Sequence, residues 1–111
     1  MSEGADAAWR RLRDRCERAD PDSDWFAPKL LGLLDAVDRH PDLRSRYPVE
    51  AMNQIGFAPE QPREDAFPPG IGVGSAGFYA VVDQIGPSGR AVMETSSPDE
   101  ALQRLAGLLN D

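Results

Sequence analysis

Residues 78–109 read FYAVVDQIGPSGRAVMETSSPDEALQRLAGLL, and three signals in that run decide the fold class. The segment 78–85 is apolar on both faces, the pattern of a central strand. Gly86-Pro87-Ser88-Gly89 supplies turn residues, so 90–95 is expected to return as an antiparallel partner. Ser97-Pro98-Asp99-Glu100 then joins an N-cap serine, a proline at the first helical position and a glutamate three residues on. That is a capping box, and it predicts a helix start. Ala101, Leu102, Leu105, Ala106, Leu108 and Leu109 give this helix an apolar stripe that needs a sheet or another helix to cover it.

Upstream, 49–57 alternates, with Val49, Ala51, Ile55 and Phe57 on one face and Glu50, Met52 and Gln54 on the other, which predicts one half-buried strand. Strict alternation puts Asn53 on the inward face, and a buried amide must be paired. Its expected role is a bond to loop backbone, a register break, or a place facing a pocket. The proline-rich stretch APEQPREDAFPPG follows, with Pro59, Pro62, Pro68 and Pro69 opposing a regular ladder. Loops of this length in small domains are functional or disordered. A short strand is expected at 71–73.

The N-terminal third reads as two helices. Trp9, Leu12 and Cys16 fall at helical spacing, with Asp6 as the expected N-cap and arginines on the other faces. ADPDSD stops this helix and caps the next, expected over residues 25–39 with Phe26, Leu30, Leu33, Leu34 and Val37 on one side and Pro28 in its first turn. His40-Pro41 breaks it, and DLRSRY is read as one more turn. The order is two helices, a strand, the loop, three strands and a helix, without the β-α alternation of a doubly wound sheet. The expected architecture is α+β: two N-terminal helices, a small mainly antiparallel sheet of three to four strands, and a C-terminal helix packed on it. One domain spanning 1–111 is expected, with the helix in 1–22 either packed or peripheral.

The formal charge is −7, and eleven of the twelve basic residues are arginine, which disfavours a nucleic-acid surface unless charge is segregated. Arg10, Arg11, Arg13, Arg15 and Arg18 do cluster in the first helix, where a solvated face is the simpler reading. No window approaches the roughly 20 apolar residues of a membrane span, and MSEGADAAW carries no secretory stretch, so no membrane association and a cytoplasmic location are expected. The single cysteine, Cys16, allows no intramolecular disulfide and falls on an apolar stripe.

Gly72-Val73-Gly74-Ser75-Ala76-Gly77 matches G-x-G-x-x-G in letters, but a strand follows it instead of the helix that would receive a pyrophosphate. Its glycines are read as the positive-φ positions of a turn, and no cofactor is expected. The lone histidine, His40, excludes paired-histidine metal sites and, at a helix end, is read first as structural. Asp20, Asp22 and Asp24 alternate like calcium ligands but lack the glycine and distal glutamate of such a loop. Arg44, Arg46 and Tyr47 meet at the junction between helices and first strand, and Phe67-Pro68-Pro69 is expected to fold over them. Arginine and aromatic side chains are favoured binding anchors.

The run His40-Pro41-Asp42-Leu43-Arg44-Ser45-Arg46-Tyr47-Pro48, then a strand ending in Phe57, a proline-containing loop, Phe78-Tyr79-Ala80-Val81 and Ser97-Pro98-Asp99-Glu100-Ala101, resembles a family of small actinobacterial proteins of unknown function associated with natural-product biosynthesis. The resemblance implies the company of peptide or other secondary-metabolite pathways and carries over no catalytic residues. Tyr79, within its Phe78–Val81 run, joins Arg44, Arg46, Tyr47, Asn53 and Phe67 as candidate binding residues. The reading that follows is a non-catalytic accessory protein for a protein or peptide partner, which an edge strand also suits. Its alternatives are a small pathway enzyme using His40 with Arg44 or Arg46, and a homodimer built on the stripes of the first and last helices.

Overall fold

The computed structural model describes residues 4–20, 22, 25–51, 53–60, 67–74 and 77–110. Helices α1 (Ala5–Arg18), α2 (Ala27–Val37) and the single turn α3 (Pro41–Arg44) lead into strands β1 (Tyr47–Ala51), β2 (Gln54–Ala58), β3 (Gly70–Val73), β4 (Tyr79–Val82) and β5 (Ala91–Thr95), and α4 (Pro98–Leu109) closes the chain. The strands form one antiparallel meander in the order β1-β2-β3-β4-β5. The α+β class and the antiparallel sheet match expectation, while three to four strands become five and two leading helices become three.

The extra strand comes from the segment 49–57. Ala51 faces Gln54 and Tyr47 faces Ala58, so the expected single strand is a tight hairpin. The two-residue turn swaps the faces: Val49 and Ala51 lie with Gln54 and Gly56, and Pro48 and Glu50 with Phe57 and Ile55. The expected grouping of Val49 and Ala51 with Ile55 and Phe57 is thus corrected; their continuous odd spacing in the sequence hid the turn. Proline at Pro48 is tolerated because β1 is an edge strand.

One face of the sheet carries Ile55, Phe57, Ile71, Val73 and Val81, all buried with Leu30, Leu33 and Leu34 of α2 and Leu102 and Leu105 of α4. α4 packs on β3, β4 and β5, and α2 lies between α1 and α4. α1 runs along β1, the point on which the sequence left two readings. The Trp9 ring packs tilted against Phe57 with centroids 5.3 Å apart, Ala8 packs with Tyr47 and Ala58, and Arg15 pairs with Glu50. The Trp9 indole also donates to the Arg46 carbonyl at 2.8 Å. The stripes of α1 and α4 are thus both covered within one chain.

Several local expectations are corrected. Asp6 is not the cap of α1; Gly4 precedes the helix without a side-chain cap, and Asp6 in the first turn pairs with Arg10 and Arg44. α2 begins at Ala27, leaving Trp25 outside it and 47% exposed. β4 ends at Val82, because Asp83 Oδ1 accepts from Arg90 N at 2.8 Å and closes the loop there. The box at Ser97 is half formed: Ser97 Oγ accepts from Glu100 N at 3.2 Å, while Ser97 N donates to Thr95 Oγ1 at 3.1 Å.

Candidate functional site

The second face of the sheet is built by the alternate positions Val49, Ala51, Gln54, Gly56, Ala58, Gly70, Gly72, Ala80, Val82 and Glu94, which face one another in register. It has almost no large side chains. Over Gly56 the face is closed from within the chain: a Cβ there would meet Pro68 Cγ at 2.7 Å and Ile85 Cδ1 at 3.0 Å. The prolines cannot donate but do accept, Pro69 O from Phe57 N and Pro68 O from Ile85 N, each at 2.9 Å.

The described residues leave the other half of the face uncovered. Asn53, Gln54, Gly72, Val73, Gly74, Phe78, Ala80 and Glu94 line a cleft of about 300 Å³. Its floor is Gly72 and Ala80, and Phe78 stands beside it with 49% of its surface exposed. The corner at Asn53 is fixed by two bonds to β3, Asn53 Nδ2 to Val73 O at 2.6 Å and Val73 N to Asn53 O at 3.0 Å. Gln54 Oε1 accepts from Gly86 N at 2.7 Å, which holds this side chain across the strand end. One residue beyond Val73, Lys29 Nζ donates to Gly74 O at 2.9 Å and lies 5.7 Å from the ring of exposed Trp25. Gly77 takes φ 86° in the turn that leads back to Phe78, whereas Gly72 lies in β3 and Gly74 beside it without positive φ, so of the described glycines in that run Gly77 alone plays the expected turn role.

The candidate residues read from the sequence are not brought together. Arg44 lies over Trp9 at 5.8 Å and pairs with Asp6 and Asp38. Arg46 offers its carbonyl to Trp9, and Tyr47 is buried against Ala8 and Ala58. Phe67 is 55% exposed and its ring lies by Gly86, and Pro68 lies over Gly56, so Phe67 and Pro68 sit on the second sheet face and not over the Arg44–Tyr47 junction as expected. Residues 61–66 of that loop, with Pro62, lie outside the described residues, as do Asp24 of the aspartate series and Ser75 and Ala76 of the glycine run. Tyr79 points into the core face, 3.2 Å from where a Gly32 Cβ would lie, and burial pushes its phenol above the usual range. Asn53 alone lines the cleft.

Gln54, Phe78, Ala80 and Glu94 were missed, although a signal for the cleft existed. Gly70, Gly72 and Gly74 fall at alternate positions, and in a strand that spacing strips one face of side chains. Two further hollows, one walled by Ala8, Leu12, Pro48 and the Arg15–Glu50 pair and one by Trp9, Leu34 and the Arg13 and Arg44 pairs, hold charges already balanced.

His40 does not approach Arg44's carboxylates. Its Nε2 lies 3.1 Å from Asp99 Oδ1, and Arg39 takes Asp99 Oδ2 at 2.8 Å, so one carboxylate in the first turn of α4 ties down the end of α2. The Arg39 bond, then the His40 bond, hold the Asp99 carboxyl below its ordinary range. A group whose folded pKa is lowered stabilises the fold above its unfolded value of about 3.9 and stops doing so as pH falls through the folded value. The melting-temperature gap between wild type and Asp99→Asn is therefore expected to be widest near neutral pH and to close below about pH 4. A gap that is constant from pH 7 to pH 2.5 would show that this contact contributes nothing.

Among the described residues there is no group of three or more His, Cys, Asp and Glu able to hold a metal, and no helix is long and apolar enough to cross a membrane. No known protein family, curated protein or solved structure matches the chain.

Proposed function

We propose that this is a non-catalytic binding protein that holds an extended stretch of polypeptide on the uncovered half of its sheet, in the natural-product setting that the sequence resemblance implies. The observation that carries the reading is the cleft floor. Gly72 and Ala80 let a main chain approach the sheet closely, while half-exposed Phe78 offers the kind of aromatic anchor that dominates binding energies. The amides of Asn53 and Gln54, held in place by their bonds to Val73 and Gly86, present fixed hydrogen-bonding groups at one end.

Strand addition at a sheet edge fits the structure less well. α1 lies along β1, and β5 is interrupted where Val81 pairs with Met93 but Val82 pairs with Ala91, leaving Val92 as an extra residue. Such bulges blunt an edge against further pairing. The His40 reading gains nothing from the geometry, since His40 and Arg44 serve different carboxylates.

A peptide array probed with wild type and with Ala80→Gln tests the proposal, because the longer side chain at 80 lies across the floor. Capture of a set of peptides by wild type, with at least tenfold weaker capture by an Ala80→Gln variant of unchanged melting temperature, is the expected result. Equal capture by the two proteins removes this face as the binding site.

A further inference from the structure

The cleft is more specific than a smooth floor beside one aromatic ring. Ala80 faces Glu94 in the β4–β5 register, and Phe78, two residues before Ala80, projects to the same side, so ring and carboxylate are diagonal neighbours on one face. Glu94 is exposed and makes no ion pair or side-chain hydrogen bond among the described residues, in contrast to Asp6, Asp14, Asp35, Asp38, Glu50 and Asp99, which are each matched to a basic partner. Glu94 thus stands in the cleft without a basic partner among the described residues, beside an exposed aromatic ring. Asn53 spends an N–H on Val73 O, which keeps its Oδ1 as a second acceptor at the cleft. Gln54 spends its oxygen on Gly86 N, which keeps its nitrogen to donate to a peptide carbonyl.

Resting on the reading of this face as a polypeptide site, we propose that the cleft selects an arginine side chain of the bound segment, with the guanidinium stacked on Phe78 and paired with Glu94. A planar guanidinium suits both contacts at once: it stacks on an aromatic face and meets a carboxylate with two parallel N–H donors, which an ammonium does not. The net charge of −7 draws cationic segments toward the protein, and the carboxylate then fixes one of them in the cleft. The occupant is a polypeptide arginine because the floor accommodates a main chain on either side of it.

The test is a two-dimensional amide NMR titration of the whole protein with two probes, acetyl-Gly-Gly-Arg-Gly-Gly-amide and the same peptide with citrulline, the neutral isostere, in place of arginine. The arginine peptide is expected to shift the signals of Gly72, Gly74, Phe78, Ala80 and Glu94 saturably. Citrulline is expected to bind about tenfold more weakly, and Glu94→Gln to bring the arginine peptide down to the citrulline level. Equal titration by the two peptides, or an arginine preference that survives Glu94→Gln, overturns the arginine assignment while leaving the face as a peptide site. Cleft signals that move with neither probe overturn the assignment together with the reading it rests on.

Discussion

Phe57→Ala is expected to lower the unfolding free energy by about 3–5 kcal/mol, the range for deleting a fully buried aromatic ring. Phe57 has no exposed surface, and its ring is the contact through which Trp9 brings α1 onto the sheet, at 5.3 Å between centroids. Truncation therefore removes the ring's own burial and leaves Trp9 facing a cavity. In a domain of this length, with a total stability on the order of 5–15 kcal/mol, that is a large share. The denaturant midpoint should fall while the slope of the transition stays the same, as a native state with a hole still unfolds in one step. Phe67→Ala is the internal comparison, since its ring is 55% exposed and is expected to cost less than about 1 kcal/mol. Comparable losses for the two variants would mean that Phe57 does not join α1 to the sheet.

The residues of that core were legible from spacing. Trp9, Leu12 and Cys16 on α1, Leu30, Leu33 and Leu34 on α2 and Ala101, Leu102 and Leu105 on α4 are buried where helical periodicity placed them. Ser97 and Pro98 announced α4 to the residue, because capping is a local event between side chain and nearby backbone. What failed were features settled by distant neighbours. The hairpin between Ala51 and Gln54 contains no Gly-x or Asn-Gly pair, and its apolar residues run on at odd positions in the sequence although the turn puts Val49 and Ala51 on the face opposite Ile55 and Phe57, so the reversal shows only once β3 supplies Val73 to fix Asn53. Of the roles left open for Asn53, its amide takes a backbone partner, Val73 O, and also borders the cleft.

The candidate site was less legible. Arg44, Arg46 and Tyr47 are close in sequence and carry favoured binding chemistry, yet α1 takes up two of the side chains, Asp6 pairing with Arg44 and Ala8 covering Tyr47, while Arg46 gives α1 only its carbonyl, at the Trp9 indole. Composition cannot say that a side chain is already engaged. The cleft is made the opposite way, by positions with little chemistry of their own. Gly72 and Ala80 matter for what they leave empty, and Phe78 and Glu94 matter because the register puts them on the same face.

Gly70→Ala carries the second large effect, and it separates a glycine required by close approach from one that only keeps a floor clear. A Cβ at Gly70 would collide with the Ile55 carbonyl oxygen and lie 2.8 Å from Gly56 Cα, both backbone atoms of the paired strand. Backbone within a ladder cannot give way singly, so β2 and β3 must part or shift, and a loss of about 3 kcal/mol or more is expected, at the upper end of overpacking costs. At Gly72 the nearest atom is Gln54 Cγ at 3.1 Å, the stem of a flexible side chain, and Gly72→Ala should cost under about 1 kcal/mol. Urea unfolding measures the first quantity. Hydrogen exchange locates it, because Gly70→Ala should speed exchange at the amides that pair β2 with β3, while Gly72→Ala leaves them protected. The β2–β3 register also sets Gln54 opposite Gly72 in the cleft, so the same substitution should abolish peptide capture by wild-type sheet geometry, whereas Gly72→Ala should weaken it only by crowding the floor. If Gly70→Ala proves as stable as Gly72→Ala, the close approach of β2 and β3 is wrong, and with it the shape of the cleft.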